Sequence, residues 1–139
     1  MHLYGTASRN AQGRLTIGGV DVADLAREFG TPLYIMDEEL IRRNCRAYME
    51  SFRQHYPDFD VAYASKAFLC TAMAGLVAQE GLSLDVVSGG EIATALQAGF
   101  PMERVYFHGN NKTADEIRLA LEAGVGRFVV DSTQELQLL

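Results

Sequence analysis

"DVAYASKAFLC", Asp60 to Cys70, begins as a buried strand and ends on a cation. Asp60 to Ser65 is small and apolar apart from one tyrosine, the pattern of a strand covered on both faces. Lys66 stands at its tip, and an apolar, helix-like run comes after it. Strand, turn and helix in that order make a βα unit, and the chain repeats it. Runs rich in β-formers at Pro32–Met36, Asp60–Ser65, Ser83–Val87, Arg104–Phe107 and Arg127–Val130 alternate with segments whose apolar residues fall at helical spacing, such as Leu40, Ile41, Cys45, Tyr48, Met49 and Phe52. Strand starts recur about every 21 to 28 residues, the repeat of a βαβ unit.

Local punctuation agrees. Val22 to Phe29 reads as a helix closed by Gly30, and Gly81, Gly99 and Gly124 stand just past helical runs. Thr113 with Glu116 ("TADE") and Ser132 with Glu135 ("STQE") match the capping box, and Asp37 can cap the helix that opens "EEL". Parallel βα repeats build either an open doubly wound sheet or a (β/α)₈ barrel. No G-x-G-x-x-G follows the first strand, so the expected fold is α/β: the N-terminal part of a TIM-like barrel, incomplete in this chain because five strands do not close one. "GRLTIGGV" reads as a single strand with a Gly-Gly turn and no partner. Residues 1–20 are therefore assigned to a mostly absent β-domain, and residues 21–139 to the N-terminal half of the barrel. The sequence stops just after a helix start signal, in mid-architecture. A half barrel should expose two sheet edges and an uncovered apolar face.

Composition narrows the class. The chain has 139 residues, 48% hydrophobic and 22% charged, as in an ordinary globular domain. A net charge of -6 argues against nucleic acid or an anionic membrane as main partner. The N-terminus lacks the pattern of a signal peptide, and no apolar run approaches the roughly 18 residues needed to span a bilayer. Cys45 and Cys70 have no metal-ligand spacing and read as small buried or half-buried thiols, so no metal is expected and a reduced, cytoplasmic setting fits.

In a βα barrel the reactive groups stand at the C-terminal ends of strands. Alternation along the strand puts Ala62, Ala64 and Lys66 on one face, and Val61, Tyr63 and Ser65 on the other. A lysine over two alanines, partly desolvated, would have a lowered pKa and could attack a carbonyl; the competing reading is a solvated lysine at a strand end. Asp85 lies on the next strand, followed by "SGGE", Ser88 to Glu91. Glu91 there has a purely structural explanation as a capping residue, while Gly89 and Gly90 could present N–H groups to a phosphate. His108 opens "HGNNK" after the fourth strand. Lys66, Asp85 and His108 at successive strand ends point to a shared site.

"TPLYIMD", "YASKAF", "LDVVSGGE" and "HGNNK", in this order and spacing, resemble the N-terminal part of diaminopimelate decarboxylases, pyridoxal 5'-phosphate enzymes of the alanine-racemase-like fold group. The likeness runs from about Gly18 to Leu139, with Phe68 where many relatives have Asn. "YASKAF" alone would fit several relatives, among them decarboxylases of ornithine, arginine or carboxynorspermidine type. The resemblance implies that Lys66 bonds covalently to the cofactor's aldehyde and that Asp85, Glu91 and His108 lie around the cofactor. It implies decarboxylation of meso-2,6-diaminopimelate to L-lysine. The phosphate loop, the acid at the pyridine nitrogen and the substrate-holding residues would lie later in the chain, and a homodimer would complete the site. The isolated chain is therefore expected to be inactive. A related decarboxylase, or a non-catalytic protein binding the same cofactor, is the alternative.

Overall fold

The computed structural model describes residues 3–139. They form two compact units, one running to Ala47 and the other from Tyr48 to Leu139, and the division falls inside a helix.

The first unit opens with a three-stranded antiparallel meander: β1 (Ser8–Arg9), β2 (Leu15–Ile17) and β3 (Val20–Asp21). "GRLTIGGV" is thus no lone strand; its first half, β2, pairs with β1 on one side and with β3, which begins in its second half, on the other. Gly18 and Gly19 connect β2 to β3 with φ of 57° and 79°, so both take the left-handed conformation that a tight two-residue hairpin demands. The buried Asp21 carboxylate joins the meander to the first helix. It accepts from Asn10 Nδ2 (2.9 Å), pairs with Arg14 Nε (2.8 Å) and caps α1 (Val22–Phe29) through Ala23 N (2.9 Å). α1 ends at Gly30, in agreement with the sequence.

Pro32–Met36 is not a strand. Its β-forming residues express a propensity, but a strand also needs a neighbour for its N–H and C=O groups. This segment is paired into neither sheet, and Tyr34 is 99% exposed. Asp37 then starts α2 (Glu38–Arg53), accepting from Leu40 N (3.0 Å) and from the hydroxyl of Thr6 (2.5 Å).

The second unit carries the repeat. β4 (Ala62–Ala64), β5 (Ser83–Val86), β6 (Val105–Phe107) and β7 (Arg127–Phe128) lie side by side in chain order, all parallel. Between and after them run α3 (Thr71–Gln79), α4 (Gly89–Gln97), α5 (Ala114–Glu122) and α6 (Thr133–Leu138). The α/β class with a parallel sheet is as expected, and the barrel is not closed in this chain. The strands are one to three residues shorter than the sequence runs, because runs of apolar residues continue into turns.

Alternation sorts the two faces of the sheet. Leu84, Val86, Val105 and Phe107 are fully buried, as are Ala74 and Val77 of α3, Ile92 and Ala95 of α4, and Ala120 of α5, with Ile117 nearly so. Each large apolar side chain removed from water there contributes about 1.5–3 kcal/mol. The opposite face carries Ala62, Ala64, Ser83, Asp85, Tyr106 and Arg127. Asp60 accepts from Ser83 Oγ and Tyr106 Oη, each at 2.7 Å, and the Arg127 guanidinium lies 4.9 Å from the Tyr106 ring centre. The expected uncovered apolar face is therefore absent from this sheet. The face turned away from the helices is small and polar.

Glu116 joins two helices. It closes the capping box of α5 with Thr113 and accepts from Gly89 N (2.9 Å) at the start of α4. The Gly89 amide, then the Thr113 amide and hydroxyl, hold its carboxyl below its ordinary value of 4.5. A carboxyl lowered by folding stabilises the fold above its unfolded value and loses that contribution as pH falls through the folded one. Melting temperature should therefore decline below about pH 4.5, and Glu116→Gln should flatten that acid limb. An unchanged limb in the variant would refute the assignment.

Candidate functional site

The site is built on the C-terminal ends of β4, β5 and β6. Register places Ala64, Asp85 and Tyr106 at one level across the three strands. Lys66 and His108 each lie two residues beyond that level, past the ends of the two strands on either side of β5. His108 Nδ1 stands 3.7 Å from Asp85 Oδ1, and the His108 amide donates to Val86 O (2.8 Å), so the histidine backbone continues the ladder.

Lys66 does not continue the alternation of β4. Ser65, Lys66 and Ala67 form one turn of 3₁₀-helix, which breaks the two-residue period at Ser65. Lys66 is exposed rather than desolvated, and Ser65 beside it is 2% exposed. The chain has two lysines. The other, Lys112, is buried, its ammonium 2.7 Å from Glu135 Oε1 and donating to Gly109 O (2.5 Å) and Val129 O (2.9 Å). Lys66 alone presents an accessible side-chain amine at the strand ends.

Glu91 stands apart from the other three predicted residues. Both of its oxygens are occupied by its own loop and the neighbouring turn: Oε1 by the Ser65 hydroxyl (2.5 Å), Oε2 by Val87 N (2.8 Å) and Ser88 Oγ (2.9 Å). Ser88 in turn caps α4 by accepting from Glu91 N (3.4 Å). The sequence signal for this is a polar residue, Ser65, at the end of an apolar strand, because a buried hydroxyl needs a partner. The pairing of Lys112 with Glu135 has no such local signal. Among the described residues no group of three or more His, Cys, Asp or Glu could hold a metal ion, and neither cysteine is in a disulfide.

An exposed primary amine and a carboxylate beside an imidazole thus stand at the C-terminal ends of successive parallel strands. The chain belongs to the pyridoxal-dependent decarboxylases: residues 39–139 match the family described as pyridoxal-dependent decarboxylase, pyridoxal binding domain.

Within that class it is similar to diaminopimelate decarboxylases. It is 53% identical to the diaminopimelate decarboxylase of Halalkalibacterium halodurans and 52% identical to that of Bacillus subtilis, in each case over all 139 residues. The chain spans about a third (32%) of the length of these curated relatives. Among solved structures, a diaminopimelate decarboxylase from M. jannaschii superposes with a TM-score of 0.88 at 43% identity, covering 96% of this chain and 31% of that one. The same enzyme in co-complex with L-lysine gives 0.84 at 40% identity, with the same coverage. A lysine/ornithine decarboxylase from Vibrio vulnificus, at 24% identity and 0.73, shares the fold; it covers 94% of this chain and 34% of that one.

Proposed function

We propose that this chain supplies the cofactor-holding part of an enzyme that converts meso-2,6-diaminopimelate to L-lysine and CO₂. The observation that carries the reading is the exposed Lys66 in the turn just after β4, next along the sheet from the Asp85–His108 pair at the ends of β5 and β6. Lys66 would hold pyridoxal 5'-phosphate through its aldehyde, with Asp85 and His108 beside the ring and Glu91 behind the turn. When bound, the cofactor draws electrons from the bond that is broken as CO₂ leaves. The His108 imidazole, its Nδ1 turned toward the Asp85 carboxylate, would cover one side of the ring, while Ala62 and Ala64 leave it room. The names of the relatives, and the L-lysine in the complex from M. jannaschii, support the substrate and product.

The same resemblance carries the rest of the reading. A homodimer completes the site, the setting is cytoplasmic, and the meander of residues 8–21 joins a β-rich domain supplied outside these 139 residues. Among the described residues no helix is long and apolar enough to cross a membrane. The 139-residue chain by itself should release no L-lysine from diaminopimelate, and measurable production by the pure chain would refute this.

The test is borohydride reduction of the protein with pyridoxal 5'-phosphate, followed by peptide mapping. A pyridoxyl adduct on Lys66, lost in Lys66→Ala, is the expected result. An adduct confined to the terminal amine would overturn the assignment.

A further inference from the structure

The turn that carries Lys66 is held by hydrogen bonds on both sides of the lysine. Before it, the buried Ser65 hydroxyl is shared by the Asp85 main-chain carbonyl (2.7 Å) and Glu91 Oε1 (2.5 Å). After it, the Tyr63 hydroxyl donates to Phe68 O (2.7 Å) and closes the chain leaving the turn. Glu91 is itself fixed by Val87 N and Ser88 Oγ at the end of β5. One carboxylate thus ties the lysine-bearing turn of β4 to the β5–α4 junction that also carries Asp85.

From this we infer that Ser65 and Glu91 are a positioning pair: Glu91 acts on Lys66 through the Ser65 hydroxyl and does not touch the cofactor. The inference rests on the reading that Lys66 holds the cofactor. Its physical basis is the cost of misplacement. A lysine side chain carries about 2 kcal/mol of rotamer entropy, so the direction of its amine depends on how firmly its backbone is set. A reacting group displaced by about 1 Å can lose on the order of a hundredfold in rate. The 3₁₀ turn has one hydrogen-bonded turn's worth of backbone support, and Ser65 supplies the link from it to the neighbouring strand.

The experiment compares the rate at which pyridoxal 5'-phosphate is trapped at Lys66 with the rate at the terminal amine of the same molecules. Wild type, Ser65→Ala, Ser65→Thr and Glu91→Leu are compared at a temperature where each is shown to be folded. Ser65→Ala should slow trapping at Lys66 by about tenfold while the terminal amine reacts as before. Ser65→Thr, which keeps the hydroxyl, should restore the Lys66 rate. A purely structural role would lower the melting temperature without changing the ratio of the two rates. An unchanged ratio in Ser65→Ala would overturn the inference and leave the cofactor assignment intact. Should Ser65→Ala fail to fold, Glu91→Leu, which leaves Ser65 no side-chain acceptor there, reports instead, and an unchanged ratio there has the same meaning. No trapping at Lys66 in the wild type would overturn the cofactor assignment, and this inference with it.

Discussion

Lys112→Met should cost about 3–5 kcal/mol of stability, although no binding role is assigned to Lys112. Its side chain is fully buried. The ammonium pairs with Glu135, donates to the Gly109 and Val129 carbonyls, and lies 5.7 Å from the centre of the Phe107 ring. Methionine fills nearly the same volume, so the loss is electrostatic: a carboxylate stays buried without its cation, and two carbonyls lose a donor. Burial pushes the Glu135 carboxyl up, but hydrogen bonds from Lys112 and the Asp131 amide outweigh it and leave it below 4.5. Replacing both partners, as Lys112→Met with Glu135→Gln, should recover much of the loss, because the neutral pair leaves no buried charge. A denaturant-unfolding double-mutant cycle measures this. Additive losses would show that the pair is not coupled. A single-variant cost under about 1 kcal/mol would show that the ion pair holds little.

That pair also shows where the sequence stops being legible. Helix starts and stops are readable because each is decided within four residues: Asp37 before α2, Thr113 with Glu116 on α5, Gly30 after α1. The βα repeat is readable because the helix-facing strand residues must be apolar whatever their partners. Lys66 is conspicuous because a cation closing an apolar run is out of pattern, although β4 itself is exposed to half-buried, not buried as the sequence suggested. The contacts of Lys112 with Val129 and of Ser65 with Glu91 span 17 and 26 residues, and no local rule reports them. Propensity misleads at Pro32–Met36, where β-forming residues have no ladder, and at residues 15–21, where the strand's partners are too short to notice. Glu91 reads as a capping residue, and it is bonded to its cap. Its second oxygen, reaching Ser65, turns a helix cap into a support for the lysine turn.

Two glycine-to-alanine changes with opposite signs test how the sheet that carries the site is held together. Gly75, inside α3, has nothing within 4 Å of where a methyl group would go. Alanine there removes conformational freedom from the unfolded chain and should stabilise by about 0.5–1 kcal/mol. Gly126 sits just before β7, and its amide donates to Met102 O (3.0 Å) ahead of β6. A methyl group on Gly126 would stand 1.9 Å from the Glu103 carbonyl oxygen and 2.6 Å from its carbonyl carbon. Both are main-chain atoms, so no rotamer change relieves the clash; one strand entry must move away from the other. Gly126→Ala should therefore cost about 3 kcal/mol or more. Its melting temperature should fall while that of Gly75→Ala rises. The damage should also spread along β6 and β7, which lead to His108 on one strand and to the Val129 anchor of Lys112 on the other. Amide exchange separates the two variants further: Gly126→Ala should lose protection at His108 and Val129, whose N–H groups extend the ladder to Val86 and Phe107, whereas Gly75→Ala should not. Equal stability of the two variants would mean that β6 and β7 enter the sheet independently, contrary to the close approach at Gly126.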